Sequence, residues 1–302
     1  MHRSLRRAAG ALALLALAAV PPAAASAAPT KTKTKTKAHY LLSLGDSLSV
    51  GVQPNAAGQS LPTAQGYADQ LYALEKPKVK NLKLVKLGCG GETSGSMSTG
   101  TGNVTGKECS YAKHNQLDQA LAFIKAHHAA GEISLITIDL GANDVDSCLT
   151  PTGSIDLTCV TTGENALFAN LPKIVSKLRK AAGKKVTMAG MTYYDPFLAG
   201  YLVPSTRALA TLSISLAGSL NAQLTKIYQA QKFKIADVAA AFKTADMTDL
   251  GTFAGQSLPI DVANICNDTW MCVPAPQGPN IHANQTGYAL IAQTFAAAVG
   301  KL

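Results

Sequence analysis

Apolar residues along the chain fall into two kinds of run. Short, almost wholly apolar stretches occur at 40–44, 82–87, 133–140, 185–191 and 233–238, and longer stretches with helical apolar spacing at 64–74, 115–129, 164–182, 206–231 and 285–299. The two kinds alternate through most of the chain, which is the order of a parallel sheet with crossover helices. The run Leu135-Ile136-Thr137-Ile138-Asp139-Leu140 suits a strand covered on both faces. The pattern predicts one α/β domain over 39–302, a three-layer α/β/α sandwich with a mainly parallel sheet of about five strands. Such sheets place ligands at the carboxyl ends of their strands. The loops of interest are therefore 45–53, 88–106, 141–149 and 193–202, with the loop before the last helix.

The beginning of the chain does not fit this alternation. Arg3, Arg6 and Arg7 precede an uncharged run over 8–20 and then small residues, the order of a secretory signal peptide over 1–27. The run is shorter than the roughly 20 residues a membrane-spanning helix needs, so export is expected rather than an anchor. Residues 28–38 hold a Thr-Lys alternation with nothing apolar to bury, and a solvated, disordered spacer is expected there. Weak contact of this basic tail with an anionic cell surface is the alternative. The formal net charge of +9 is concentrated here, because 38–302 carries 20 basic against 18 acidic residues. The near-neutral folded part excludes a nucleic-acid-binding face.

Six cysteines, at 89, 109, 148, 159, 266 and 272, suit disulfides in an exported chain. Each neighbouring pair brackets a stretch rich in Gly, Thr or Pro, which predicts the pairings Cys89–Cys109, Cys148–Cys159 and Cys266–Cys272. No C-x-x-C occurs, and the adjacent His127 and His128 point about 100° apart on a helix, so no metal site is expected.

Four of the strand-end loops carry candidate chemistry. After the first strand stands Gly45-Asp46-Ser47-Leu48, after the second Gly88-Cys89-Gly90-Gly91-Glu92-Thr93, and after the third Gly141-Ala142-Asn143-Asp144; His282 lies just ahead of the last helix. Each has an ordinary reading by itself: a helix N-cap for Ser47, a flexible turn for the glycines, an Asx turn for Asn143, a surface histidine for His282. In this order, at successive loops, they resemble the GDSL, or SGNH, hydrolases. The resemblance spans nearly all of 40–300.

The resemblance implies a flavodoxin-like sandwich and a cofactor-free, metal-free serine hydrolase with a shallow, open site. Ser47 would be the nucleophile and His282 its general base. The backbone of Ser47, the backbone of Gly91 and the amide of Asn143 would form the oxyanion hole. Gly91 is preferred to Gly90 because Gly91-Glu92-Thr93 matches the family's Gly-x-Thr step. Serine needs a base to become nucleophilic, and the tetrahedral intermediate needs donors where charge develops. The chain departs from the family at Pro279, where an aspartate three residues before the histidine is usual. Either Asp268 or a main-chain carbonyl such as that of Trp270 must then orient His282, and the carbonyl is favoured. The expected activity is that of a secreted, monomeric carboxylic ester hydrolase acting on small-molecule or lipid esters. A polysaccharide acetyl esterase and a non-catalytic surface binding protein are the alternatives.

Overall fold

Five strands form the central sheet in a computed structural model describing residues 37–100, 109–148 and 154–302; the expected signal peptide and the tail up to residue 36 lie outside the described residues. They are β1 His39–Gly45, β2 Leu82–Lys86, β3 Ile133–Asp139, β4 Thr187–Met191 and β5 Lys234–Ala236. Their order is β2-β1-β3-β4-β5 and every pair is parallel. This is the three-layer sandwich with five strands read from the hydrophobic pattern. Leu41, Leu42 and Leu44 of β1 and Leu135, Ile136 and Ile138 of β3 are wholly buried, each contributing about 1.5–3 kcal/mol of hydrophobic stabilisation.

Nine helices accompany the sheet among the described residues. They are α1 Ser47–Val50, α2 Tyr67–Glu75, α3 Ser94–Thr99, α4 Gln116–His128, α5 Leu157–Ala182, α6 Arg207–Ala230, α7 Val238–Ala241, α8 Ile260–Asp268 and α9 Gln285–Val299. Helices α2 and α9 pack together on one face of the sheet; α4, α5 and α6 cover the other. The order in which strands are added therefore switches from one side of β1 to the other, and the crevice between β1 and β3 is where open α/β sheets bind ligands. The register sets Gly45 opposite Asp139, so the loops leaving β1 and β3 start side by side.

Where the sequence and the structure differ, local capping gives the reason. Helix α5 begins seven residues before the apolar periodicity does, because the Asp156 carboxylate accepts from the backbone of Thr158 and Cys159 and starts the helix over Thr161, Thr162 and Gly163. Helix α9 begins where expected, with the Asn284 side chain accepting from Thr286 N and Gly287 N. Helices α1, α3, α7 and α8 had no predicted counterpart. A short antiparallel pair joins Thr269–Trp270 to Asn280–Ala283 just ahead of α9. Among the described residues no helix is long and apolar enough to cross a membrane.

The three disulfides are Cys89–Cys109, Cys148–Cys159 and Cys266–Cys272, the expected sequential pairs, with no free cysteine. They close spans of 20, 11 and 6 residues, and cross-link stabilisation grows with span. Reduction of the Cys89–Cys109 bridge is therefore expected to cost the most, about 3 kcal/mol. Denaturant titration of Cys89→Ala/Cys109→Ala against the other two double variants measures this, and an equal or larger loss from the Cys266–Cys272 pair would contradict it.

Candidate active site

The chain leaves β1 through Gly45, whose φ is +126° and whose position leaves no room for a side chain, since a Cβ would lie 1.9 Å from the Asp139 carbonyl oxygen. Only glycine turns the chain here. The N-cap of α1 is Asp46 and not Ser47: the Asp46 Oδ1 accepts from Leu48 N at 2.9 Å. Ser47 becomes the first residue inside the helix, and its hydroxyl is spared from capping. Ser49, two residues on, is fully buried and donates to the Asp46 carbonyl at 2.6 Å. Of the two serines in this loop, only Ser47 lines the cavities described below.

Two carboxyl groups hold this turn from beneath. Asp139 Oδ2 accepts from Ser49 N at 3.1 Å and Asp46 N at 3.3 Å, its Oδ1 accepts from the Tyr67 hydroxyl at 2.6 Å, and Asp46 Oδ2 accepts from the Tyr193 hydroxyl at 2.8 Å. Burial raises the pKa of both acids, and the nearby Asp46 charge raises Asp139 further. Sequence reading passed over both, although Asp46 sits inside the motif and Asp139 is the one acid in an otherwise apolar strand.

The loop after β2 turns at Gly91, with φ of +75°, a conformation that favours glycine. Glu92 follows and points into the protein, where its carboxylate accepts from Ser96 Oγ, from Gln116 Nε2 at 2.7 Å and from the Tyr111 hydroxyl at 3.3 Å. Gln116, at the start of α4, also holds Gly45 from both sides, accepting from its N–H at 2.6 Å and donating to its carbonyl at 2.9 Å. One buried amide thus fixes the serine loop and the glycine loop relative to each other. Thr93 then caps α3 reciprocally with Ser96.

Asn143 stands in a single 3₁₀ turn over Ala142–Asp144 after β3. Its Nδ2 donates to the Glu92 carbonyl at 3.1 Å, which uses one of its two N–H bonds and leaves the other. The adjoining Asp144 carboxylate accepts from Ser94 N at 2.9 Å and Ser94 Oγ at 2.6 Å. The asparagine is therefore braced against the glycine loop by its own side chain and by its neighbour.

His282 lies on the short strand before α9, and Tyr194 donates to the preceding carbonyl, that of Ile281, at 2.7 Å. The structure corrects the expected orienting group. The partner of His282 Nδ1 is the side-chain oxygen of Asn280, at 2.7 Å. That same oxygen accepts from the His282 backbone N–H at 3.0 Å, while the Asn280 Nδ2 donates to Ser60 Oγ at 2.9 Å. Because the backbone N–H can only donate, the amide orientation is fixed, and Nδ1 must carry the ring proton. Nε2 is left as the basic nitrogen. Asp268 instead meets Thr286 of α9, and the Trp270 carbonyl accepts from Val273 N at 3.4 Å. Both belong to the scaffold around α9 and the disulfide loop, and neither bonds the imidazole. The signal for Asn280 was its place two residues before the histidine, a spacing at which a strand returns the side chain to the same face.

Burial lowers the His282 pKa to about 4, and the uncharged Asn280 offers no counter-charge to restore it. The imidazole is neutral above that value, so kcat/KM is expected to stay level from pH 7 down to pH 5 and to fall as the pH passes through about 4. Asn280→Asp sets a carboxylate against Nδ1 and should move this acid limb upward. Asn280→Leu removes the tautomer lock and should lower kcat by tenfold or more, within the 10²–10⁴ that a general base contributes altogether, whereas Asp268→Asn should stay within about tenfold. A thousandfold loss in folded Asp268→Asn would return the role to that carboxylate.

Ser47, Asn143 and His282 all line two cavities that meet between them, one of about 260 Å³ and one of about 570 Å³. Gly91 lines the larger one. The serine hydroxyl and the imidazole face the same cavities but are not hydrogen-bonded to each other. Among the described residues no group of three His, Cys, Asp or Glu could hold a metal ion.

Comparison with known proteins bears on the fold and the family. The fold is similar to that of an extracellular lipase from Streptomyces rimosus, with 17% identity, 86% of this chain and 100% of that chain covered, and a TM-score of 0.53. It is similar too to phospholipase A1 from Streptomyces albidoflavus, at 17% identity with 86% and 99% covered and a TM-score of 0.53. A GDSL-like lipase described as putative, from Parabacteroides merdae, gives 17% identity, 88% and 97% covered and a TM-score of 0.50. No curated protein matches the chain. The family described as GDSL-like lipase/acylhydrolase matches over residues 43–290, a span that contains all four loops. The chain belongs to that family of ester hydrolases.

Proposed function

We propose that the protein is a secreted serine esterase or lipase that cleaves carboxylic esters through an acyl-enzyme on Ser47. The observation that carries this reading is the convergence of Ser47, Asn143 and His282 on shared cavities, with Nδ1 of the histidine pinned so that Nε2 is the base. His282 Nε2 takes the proton from Ser47 Oγ as that oxygen bonds to the ester carbonyl carbon. Negative charge on the carbonyl oxygen is met by the free N–H of Asn143 and by the backbone N–H groups of Gly91 and Ser47. The imidazolium returns its proton to the alcohol oxygen as the C–O bond breaks, leaving the acyl group on Ser47. Water, deprotonated by the same nitrogen, then hydrolyses the acyl-enzyme and regenerates the serine. Secretion is supported by the leader composition and by three disulfides, which persist in oxidising compartments.

The test is labelling with a fluorophosphonate together with turnover of p-nitrophenyl esters. One adduct, mapped to the peptide containing Ser47 and blocked by substrate, is expected. Absence of both labelling and turnover would leave the binding-protein reading instead.

A further inference from the structure

We propose that the preferred substrate joins an apolar acyl chain of roughly eight to ten carbons, seated between α5 and α6, to a polar alcohol seated on the opposite side of Ser47. The inference rests on the ester-hydrolase reading and adds the substrate class. An ester bound for attack on Ser47 sends its acyl chain and its alcohol away from the carbonyl carbon in different directions, and two cavities leave that point. They differ in chemistry.

The smaller cavity is apolar. Its wall along α6 is the helix face carrying Leu209, Ala210, Ser213, Leu216, Ala217 and Leu220. The large residues supply apolar surface and Ala210, Ser213 and Ala217 leave the room. Its polar groups are mostly turned on one another. Asp195 accepts from Ser213 Oγ at 2.5 Å and from Phe197 N at 3.0 Å, and the Asn221 amide exchanges both of its bonds with the Tyr193 backbone. Burial raises the carboxyl of Asp146, in the same wall, to about 8, so it is uncharged at neutral pH. Its 260 Å³ compares with the roughly 150 Å³ that accommodates the six carbons of benzene in an apolar protein cavity. An acetyl group would leave most of this space unfilled.

The larger cavity is bordered by the backbone of Gly88, Gly90 and Gly91 and by Ser60, Ser110 and Gln119. These groups offer hydrogen bonds to a hydroxylated or otherwise polar alcohol; Val52, Pro62 and Leu87 add apolar surface beside them, so this cavity is mixed in character and more polar than the one between α5 and α6.

The experiment compares kcat/KM for p-nitrophenyl esters from acetate to palmitate in the wild-type protein, Ala217→Val and Ala217→Phe, and sets glyceryl monooctanoate against octyl acetate. In the wild type kcat/KM should rise by up to about fourfold per methylene and level off near eight to ten carbons. Ala217→Phe should lower activity on octanoate and longer esters at least tenfold more than it lowers activity on acetate, and Ala217→Val should fall between. Glyceryl monooctanoate should be cleaved at least tenfold faster than octyl acetate. A wild-type optimum at acetate, an equal loss at every chain length in both variants, or preference for octyl acetate would overturn the proposal while leaving the protein an esterase. Failure to cleave any ester, with no fluorophosphonate adduct, would instead overturn the reading beneath it.

Discussion

Ser47→Ala is expected to abolish ester turnover, a loss on the order of 10⁴–10⁶ in kcat, while the protein folds as before. The two halves of this expectation have separate physical grounds. Loss of the nucleophile removes the covalent route, and what remains is the transition-state binding of the donors around it. Stability should change by less than about 1 kcal/mol, because Asp46, not Ser47, caps α1, and the serine hydroxyl holds no hydrogen bond that the substitution would orphan. Ser49→Ala makes an informative contrast, since that hydroxyl is tied to the Asp46 carbonyl and should affect stability more than it affects labelling. Thermal unfolding and single-turnover kinetics on both variants decide the matter. Residual turnover above a tenth of wild type in Ser47→Ala would remove Ser47 from the nucleophile role.

Asn143→Ala is expected to lower kcat by about 10²–10³ with a much smaller change in KM, since a donor aimed at the oxyanion acts mainly in the transition state. This corresponds to roughly 2.7–4 kcal/mol of lost transition-state stabilisation. The side chain also donates to the Glu92 carbonyl, so a structural share is expected, about 1 kcal/mol for one neutral hydrogen bond. The kcat-against-KM split separates the two contributions. A rise in KM with kcat unchanged would make Asn143 a substrate-binding residue. A large drop in unfolding midpoint with kcat scaled only to the folded fraction would make it a brace for the glycine loop.

The layered architecture was legible because burial imposes it on the residue pattern. A parallel strand covered on both faces must be largely apolar, as β1 and β3 are, and its crossover helices must show a stripe. The sequential disulfides were legible for a similar local reason, each joining the two ends of one loop. The start of α5 was less so, because Asp156 acts by side-chain bonds to the backbone that leave no trace in hydrophobic period.

The sequence by itself determined which residue types stand at the strand ends: Ser47 after β1, Gly91 after β2, Asn143 after β3 and His282 ahead of α9. That follows because strand order along the chain and the carboxyl-end rule depend on connectivity, which is one-dimensional information. Only the tertiary structure decided how these residues are held. That Asp46 takes the cap and frees Ser47, that Gln116 grips Gly45 and Glu92 together, and that Asn280 orients His282 in place of Asp268 or the Trp270 carbonyl are all hydrogen bonds. Those of Gln116 join residues far apart in the chain, and even the short link from Asn280 to His282 depends on which face of a strand a side chain takes. A hydrogen bond is set by distance and angle to a few tenths of an ångström, and several acceptors near His282 along the chain could serve in composition alone. The folded backbone brings just one of them to Nδ1.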